Sequence, residues 1–331
     1  MDSIPIADPS QTGDARRNAM ALAKRLGFSE TGIGQVGIVA TELAGNLLKH
    51  AGGGELLIGG YEDETGSGFE CLALDNGPGM ANVAACLEDG YSTYGTSGNG
   101  LGAVRRQSLV LDIFSQPGRG TAILSRIAIN PPRQTPPMSR CGVVSAPYPG
   151  ETVCGDGFRF IEAEDGFSAM VVDGLGHGVY AAEASNAAVM TFNRLVGKPP
   201  EQIAEAMHAD LRKTRGAAVG IMCYRKQDGL VRFAGVGNVA GAIFRRGETR
   251  RMVSHNGTVG HVARKFQTFD YPAVAPFVAV LASDGLSTSW NLESYPGLQT
   301  RHPALIAGVL YRDFRRKQDD VTIMVVRSEP E

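Results

Sequence analysis

The 331-residue sequence contains no CxxC pair and no Cys/His spacing of the kind that holds zinc. Its five cysteines, at positions 71, 86, 141, 154 and 223, are odd in number and scattered. That pattern excludes a complete disulfide framework and fits reduced cytosolic thiols, several of them packed in cores. Long apolar runs are missing too. The longest, around APFVAVLA (275–282), is far below the roughly 20 residues that a membrane-spanning helix needs. The opening MDSIPIADPS lacks the basic and apolar regions of a signal peptide, so a soluble cytoplasmic protein is expected. Neither sign of charge dominates, with 32 Lys and Arg against 34 Asp and Glu. Nothing in that balance points to nucleic acid or to a membrane surface as a partner. There is no solenoid-type repeat, no GK[ST] of a Walker loop, and no GxGxxG opening a first strand–helix unit.

Glycine is what the chain has in excess, with 43 residues. The usual share is roughly 7 %, so many tight turns or close approaches of backbone to ligand are expected. The length suits about two domains. The stretch NPPRQTPPMSR (130–140) carries four prolines and almost no apolar periodicity, which reads as an exposed linker. It separates a first domain, 1–129, from a second, 141–331.

In the first domain, helical spacing predicts one helix over 14–26, stopped by Gly27, and another over about 34–50. Val36, Val39, Leu43 and Leu47 form the inner stripe of the second helix. ELLIGGY, FECLALD, SLVLDIFS and GTAILSRI read as strands. Helices followed by strands suggest an α+β sandwich, one sheet covered by helices on one side. The second domain has seven strand-like runs: FRFIEA, FSAMVV, AVGIMCYR, LVRFAGV, GAIFRR, FVAVLAS and VTIMVVR. Helical segments are expected over 180–195, 201–215 and 302–317. Two packed sheets flanked by helices follow. The basic stretch FRRGETRRM (244–252) reads as a solvated hairpin face rather than a dock for an acidic partner.

The informative residues of the second domain are carboxylates at strand ends. Asp-Gly is a common turn dipeptide, and six occur, at Asp89, Asp156, Asp165, Asp173, Asp228 and Asp284. The neighbours therefore decide. Asp156 follows ETVCG, Asp173 ends SAMVV, Asp284 ends FVAVLAS, and Asp319 and Asp320 precede VTIMVV. If the sheets bring these ends together, desolvated carboxylates repel unless they are protonated or neutralised by a cation. All-oxygen ligation favours magnesium or manganese. Two such ions would activate water for in-line attack on phosphorus.

Gly155-Asp156, Asp173 to Gly178 (DGLGHG), Gly237-Asn238, Ser283 to Gly285 and Asp319 to Thr322 (DDVT) occur in an order that resembles the metal-dependent type 2C protein phosphatases. Within them, it is similar to the bacterial sporulation-stage-II branch, over about residues 141–328. The resemblance implies a β-sandwich flanked by helices, with two manganese or magnesium ions. Asp173 would bridge both ions and the Gly174 carbonyl would take one. Asp284 and Asp319 would hold the second ion's side. Asp156 would complete the site directly or through water, with Asp320 behind them. The histidine that eukaryotic members carry two residues after the bridging Asp is four after it here, at His177. A general-acid role, a loop-positioning role and a plain surface histidine stay open for it.

In the first domain, Glu42 and Asn46 of TELAGNLLKHA are four apart on a helix and share a face. Alone, that pair is an ordinary solvated face. DNGPGM then follows FECLAL at Asp75, and GTSGNGLGAVRR (95–106) places Gly98, Gly100 and Gly102 before a helix start. Such a loop offers backbone N–H groups to phosphate. Together these residues, over roughly 14–128, resemble the GHKL ATPase superfamily and its small bacterial anti-sigma serine/threonine kinases. That resemblance implies a GHKL (Bergerat) α/β sandwich. Glu42 would be the general base and Asn46 would ligate the magnesium ion carried with ATP. Asp75 would bind the adenine amino group, with Gly77 and Gly79 shaping its pocket and Gly98, Gly100 and Gly102 forming the lid.

The two resemblances imply a bifunctional partner-switching regulator. Its kinase and phosphatase heads would act on a small STAS-domain antagonist protein that controls a sigma factor or stress signalling. In the alternative, the first domain is a non-catalytic ATP-binding module that senses, dimerises or sequesters a sigma regulator. Kinases of this type often pair, which allows a homodimer.

Overall fold

The computed structural model describes residues 1–87, 100–131, 138–245 and 247–329. By their internal contacts they form two units, Met1–Ser139 with Thr300–Arg312, and Arg140–Gln299 with Asp313–Glu331.

The first unit begins with strand β1 (Asp2–Ile6) and helix α1 (Pro9–Arg25). The helix starts a turn earlier than the apolar spacing predicts, because the residues ahead of Asp14 cap it. The Asp8 side chain accepts from the Ser10 N–H, the Gln11 side chain accepts from the Asp8 N–H at 3.0 Å, and Pro9 occupies the first turn. Helix α2 (Glu30–Ala51) likewise starts early, at a Ser29 cap, and ends where Gly52 turns left-handed at φ 71°. Strands β2 (Gly54–Asp63) and β3 (Gly66–Leu74), the short helix α3 (Val83–Cys86), helix α4 (Gly100–Gln107), and strands β4 (Val110–Ser115) and β5 (Thr121–Ala128) follow. The strands form one antiparallel sheet in the order β1-β2-β3-β5-β4. Cys71 and Ala73 of β3 join Val36, Val39, Leu43 and Leu47 of α2 in one apolar cluster. Leu72 and Leu74 alternate to the opposite face of the sheet.

The second unit holds two sheets. One is built from β7 (Asp156–Ala163), β8 (Gly166–Gly174), β9 (Ala217–Arg225), β10 (Leu230–Val236), β13 (Ser254–His255) and β14 (Phe269–Pro272). The other takes β6 (Cys141–Ala146), β11 (Ala240–Arg245), β12 (Glu248–Met252), β15 (Phe277–Ala282) and β16 (Val321–Ser328). Helices α5 (Val179–Leu195) and α6 (Pro200–Asp210) cover the first of these sheets. Strand β8 shows why its sequence reads as an unbroken apolar run. Ala169 and Val171 point between the sheets, among Phe233, Ile243 and Leu281. Met170 and Val172 point to the helices, among Phe192, Ile203 and Met207. A strand buried on both faces loses the alternation of a half-exposed one.

The basic stretch at 244–252 forms the expected β11–β12 hairpin, with Arg245 opposite Glu248. Arg251 is used structurally, its guanidinium lying 4.3 Å from the centre of the Trp290 ring.

The last helix, α7 (Pro303–Phe314), runs shorter than the 302–317 predicted. Its residues up to Arg312 group with the first unit. A Cβ added to Gly308 would stand 3.1 Å from Leu72 and 3.4 Å from Leu74. The Asp112 carboxylate accepts from the His302 main-chain N–H at 2.8 Å, and Tyr311 donates its hydroxyl proton to Glu55 at 2.9 Å. The sheet of the first unit is therefore covered on both faces, whereas the order of elements in the sequence implied one. Periodicity within residues 1–129 cannot reveal a helix supplied from beyond residue 300.

Replacing buried Phe192 by Ala is expected to cost about 3–5 kcal/mol in urea unfolding. Met190 two residues away is 73 % exposed, and Met190→Ala should stay within about 0.5 kcal/mol of the parent.

Candidate functional sites

In the first unit, α2 carries Glu42 and Asn46 on one half-buried face. A Cβ on Gly100 would lie 2.8 Å from Glu42 Oε2 and 3.7 Å from Asn46 Oδ1, so the fold brings these three positions together. Gly100 and Gly102 occupy the first turn of α4 rather than a loop ahead of it. Gly98 lies outside the described residues.

Asp75 follows the last residue of β3. Its Oδ1 accepts from the Gly77 N–H at 2.8 Å and from the Thr121 N–H at 3.1 Å. Burial pushes the Asp75 carboxyl above its ordinary pKa, while the two N–H donors pull the other way. Gly77 and Gly79 have steric reasons to be glycine. A Cβ at 77 would stand 2.6 Å from the Ala51 Cβ, and one at 79 would stand 2.2 Å from the Gln116 carbonyl oxygen. The Asp75 carbonyl oxygen accepts from the Arg312 guanidinium at 3.1 Å. Arg312 gave no signal in the sequence, being 237 residues away.

In the second unit, the strand-end carboxylates come together. Asp156 opens β7 and Asp173 is its direct partner across β8. A cleft of about 190 Å³ is lined by Asp173, Asp284 and Asp319, together with Tyr148, His177 and Asn238. Asp156 and Asp320 are buried and do not line it. Asp156 Oδ2 accepts from the Ser283 hydroxyl at 2.7 Å, and Asp320 Oδ1 accepts from the Tyr148 N–H at 2.8 Å. Asp320 Oδ2 is buried with no partner. Burial first, then the neighbouring carboxylates, push both Asp156 and Asp173 well above the ordinary carboxylate range. Asp319 is raised by burial and by Asp284 and Asp320. Gly174 admits no side chain, since a Cβ there would stand 2.2 Å from the Ala181 carbonyl oxygen.

Among the described residues, no three His, Cys, Asp or Glu side chains form a ready-made cage around one point. The carboxylates line the cleft without closing on a centre. Their chemistry nonetheless fits a hard cation: the strand-end donors are carboxylate oxygens, one buried oxygen is orphaned, and the neighbouring carboxylates keep Asp156, Asp173 and Asp319 raised.

Two residues beside the sequence-predicted ones, Tyr148 and Glu151, were not singled out from sequence. His177 Nδ1 stands 2.9 Å from Glu151 Oε1, and its ring stacks on Tyr148 at 4.5 Å between centres. Asn238, the second residue of the Gly-Asn motif, donates to Asp284 Oδ2. Tyr148 and Glu151 lie in a turn more than 20 residues before His177, where no spacing rule links them.

The family model of Stage II sporulation protein E (SpoIIE) matches residues 163–329. The chain is 35 % identical to serine/threonine-protein kinase RsbT of Bacillus subtilis (strain 168) over 109 residues, covering 33 % of this chain and 82 % of RsbT. That likeness falls in the N-terminal region. RsbX in complex with magnesium matches with a TM-score of 0.51 at 22 % identity, over 56 % of this chain and 94 % of RsbX. The PP2C phosphatase domain of SpoIIE from Bacillus subtilis, with a fragment of its regulatory domain, matches with a TM-score of 0.50 at 18 % identity, over 97 % and 95 % of the two chains. At such identities the structures establish the fold, which is PP2C-like. No helix among the described residues is long and apolar enough to cross a membrane.

The raised carboxylates set a pH dependence. A folded-state pKa above the unfolded one means that folding takes up protons. That contribution is fully present below the unfolded value of about 4 and is lost as pH rises through the folded values. Without divalent ions, the melting temperature should therefore fall between pH 5 and pH 8, by about 2–4 °C for each kcal/mol lost. Added magnesium or manganese should raise it more at pH 8 than at pH 5. Thermal scans at the two pH values, with and without metal, check this.

Proposed function

Since the chain belongs to the SpoIIE family, we propose that its second unit hydrolyses phosphoserine or phosphothreonine on a protein, using two divalent metal ions. The observation that carries this reading is the convergence of Asp173, Asp284 and Asp319 on one cleft, with Asp156 and Asp320 buried behind. Magnesium or manganese bound there would neutralise the carboxylates and lower the pKa of water. Asp173 would hold both ions, the Gly174 carbonyl one of them, and Asp284 and Asp319 the second ion's side. Asp156 would complete the set. Asn238 holds the Asp284 carboxylate in place through its amide. Glu151 and Tyr148 fix the orientation of His177 at the mouth, which supports a positioning role for that loop.

The relation to RsbT supports a GHKL domain in residues 1–129 that binds ATP and transfers its γ-phosphate to a protein hydroxyl. Glu42 would take the hydroxyl proton and Asn46 would ligate the magnesium ion of ATP. Asp75 would receive the adenine amino group, beside Gly77 and Gly79. Gly98, Gly100 and Gly102 would close over the phosphates. The shared substrate would be a STAS-domain antagonist protein in a cytoplasmic partner-switching circuit that governs a sigma factor or stress signalling. A kinase and a phosphatase that share a substrate would waste ATP if both ran freely, so a partner, a nucleotide or pairing into a homodimer would set which head acts.

A second reading keeps the first unit as a non-catalytic ATP-binding module for sensing, dimerisation or sequestration. One observation favours it: a Cβ on Gly100 would stand 2.8 Å from Glu42 Oε2, so the start of α4 crowds the carboxylate that a kinase would use as base.

With γ-labelled ATP and a purified STAS-domain antagonist protein, label should accumulate with Asp173→Asn and turn over with the parent. Asp173→Asn should lower dephosphorylation by about 10²–10³-fold or more and leave ATP binding intact. Unchanged hydrolysis in that variant would contradict the site. Glu42→Ala should abolish transfer while ATP still binds. Absence of transfer from the parent would favour the second reading.

A further inference from the structure

One cation at the cleft is left without work by the metal reading. Arg215, in the turn before β9, is exposed. Among the described residues it makes no hydrogen bond and no ion pair. Its guanidinium lies 5.0 Å from the centre of the Tyr180 ring. Its Nη1 stands 2.9 Å from where a Cβ on Gly176 would be, and Gly176 lines the cleft. A residue with any side chain at 176 would therefore displace the guanidinium from the rim.

Two features of this placement need a cause. The first is that an arginine beside an acidic cleft would ordinarily pair with a carboxylate, yet this one rests on an aromatic ring. A cation on an exposed ring is held weakly, so an arriving anion recruits it easily. The second is that Tyr180 is itself 64 % exposed and buries little of its own surface. Its ring serves mainly as a prop that keeps the guanidinium extended at Gly176.

Asp173, Asp284 and Asp319 line the cleft, and ionised carboxylates there oppose a phosphomonoester dianion. A guanidinium at the rim offsets that repulsion, and its planar fork matches two phosphate oxygens at once. We propose that Arg215, propped on Tyr180, receives the phosphate oxygens of the incoming phosphoprotein and holds them at the rim, with the ester oxygen directed out of the cleft, as in-line attack from the carboxylate side would require. This assignment rests on the phosphatase reading of the cleft. It adds a phosphate-binding residue from outside the strand-end motifs.

The test is calorimetric titration of inorganic phosphate into the full chain loaded with magnesium. Charge-assisted hydrogen bonds of this kind make the expected loss in Arg215→Ala about tenfold or more in affinity. Arg215→Lys keeps the charge without the fork and should recover part of that loss. Tyr180→Ala should fall between parent and Arg215→Ala. Magnesium affinity, measured in the same samples, should match the parent in all three, which separates the effect from misfolding. Phosphate binding that is absent from the parent, or equal in the parent and Arg215→Ala, would overturn the proposal. Failure of the phosphatase reading shows itself separately, as no hydrolysis of a phosphoserine protein by magnesium-loaded parent whose phosphate binding still depends on Arg215.

Discussion

Asp156 and Asp173 face each other across β7 and β8 at the place where both strands leave the core. Burial there, together with the charges of Asp284, Asp319 and Asp320 nearby, raises the pKa of Asp156, Asp173 and Asp319. No arrangement of apolar side chains can relieve that repulsion. It can be met by protons or by cations, and the all-oxygen surroundings suit a hard divalent ion. Much of the second unit serves to hold these groups. The two-sheet core fixes the strands, Ser283 and the Tyr148 main chain fix two of the carboxylates by hydrogen bonds, and Asn238 fixes a third. Gly174 lets the Ala181 backbone pack against the end of β8.

The first unit obeys a different constraint. Its sheet is buried on both faces, and one cover is a helix encoded some 170 residues after the last strand of that sheet. Arg312 of this helix reaches the carbonyl of Asp75, and Tyr311 reaches Glu55. The residue expected to read adenine is thus held by side-chain and main-chain contacts of different origin: Gly77 from its own turn, Thr121 from β5 of the same sheet, and Arg312 from far along the chain.

What could be read from the sequence was local chemistry repeated in order. The strand-end Asp residues were visible because an apolar run of β-branched and other apolar residues stops at a carboxylate and a glycine. The Glu42–Asn46 pair was visible because four residues make one helical turn. The core stripe of α2 was visible for the same reason. Residues that act through tertiary neighbours left no such trace. Tyr148 and Glu151 sit in a turn with no periodicity, Arg215 lies beyond the end of α6 where the apolar spacing extends the helix, and β1, β6, β13 and β14 are too short or too polar to stand out. The early starts of α1 and α2 were set by Asp8 and Ser29, caps that lie outside the apolar pattern. The grouping of α7 with the first unit is a matter of long-range packing, which a linker at 130–140 cannot foretell.

The most direct measurement is the number of protons released when magnesium or manganese binds, obtained by calorimetry at pH 7 in two buffers of different ionisation enthalpy. Carboxylates held above their ordinary range by burial and mutual repulsion must give up protons to bind a metal. The expected result is net proton release by the parent and a smaller release by Asp173→Asn. Metal binding with no proton release, or release unchanged in that variant, would contradict a cluster whose repulsion the cation relieves.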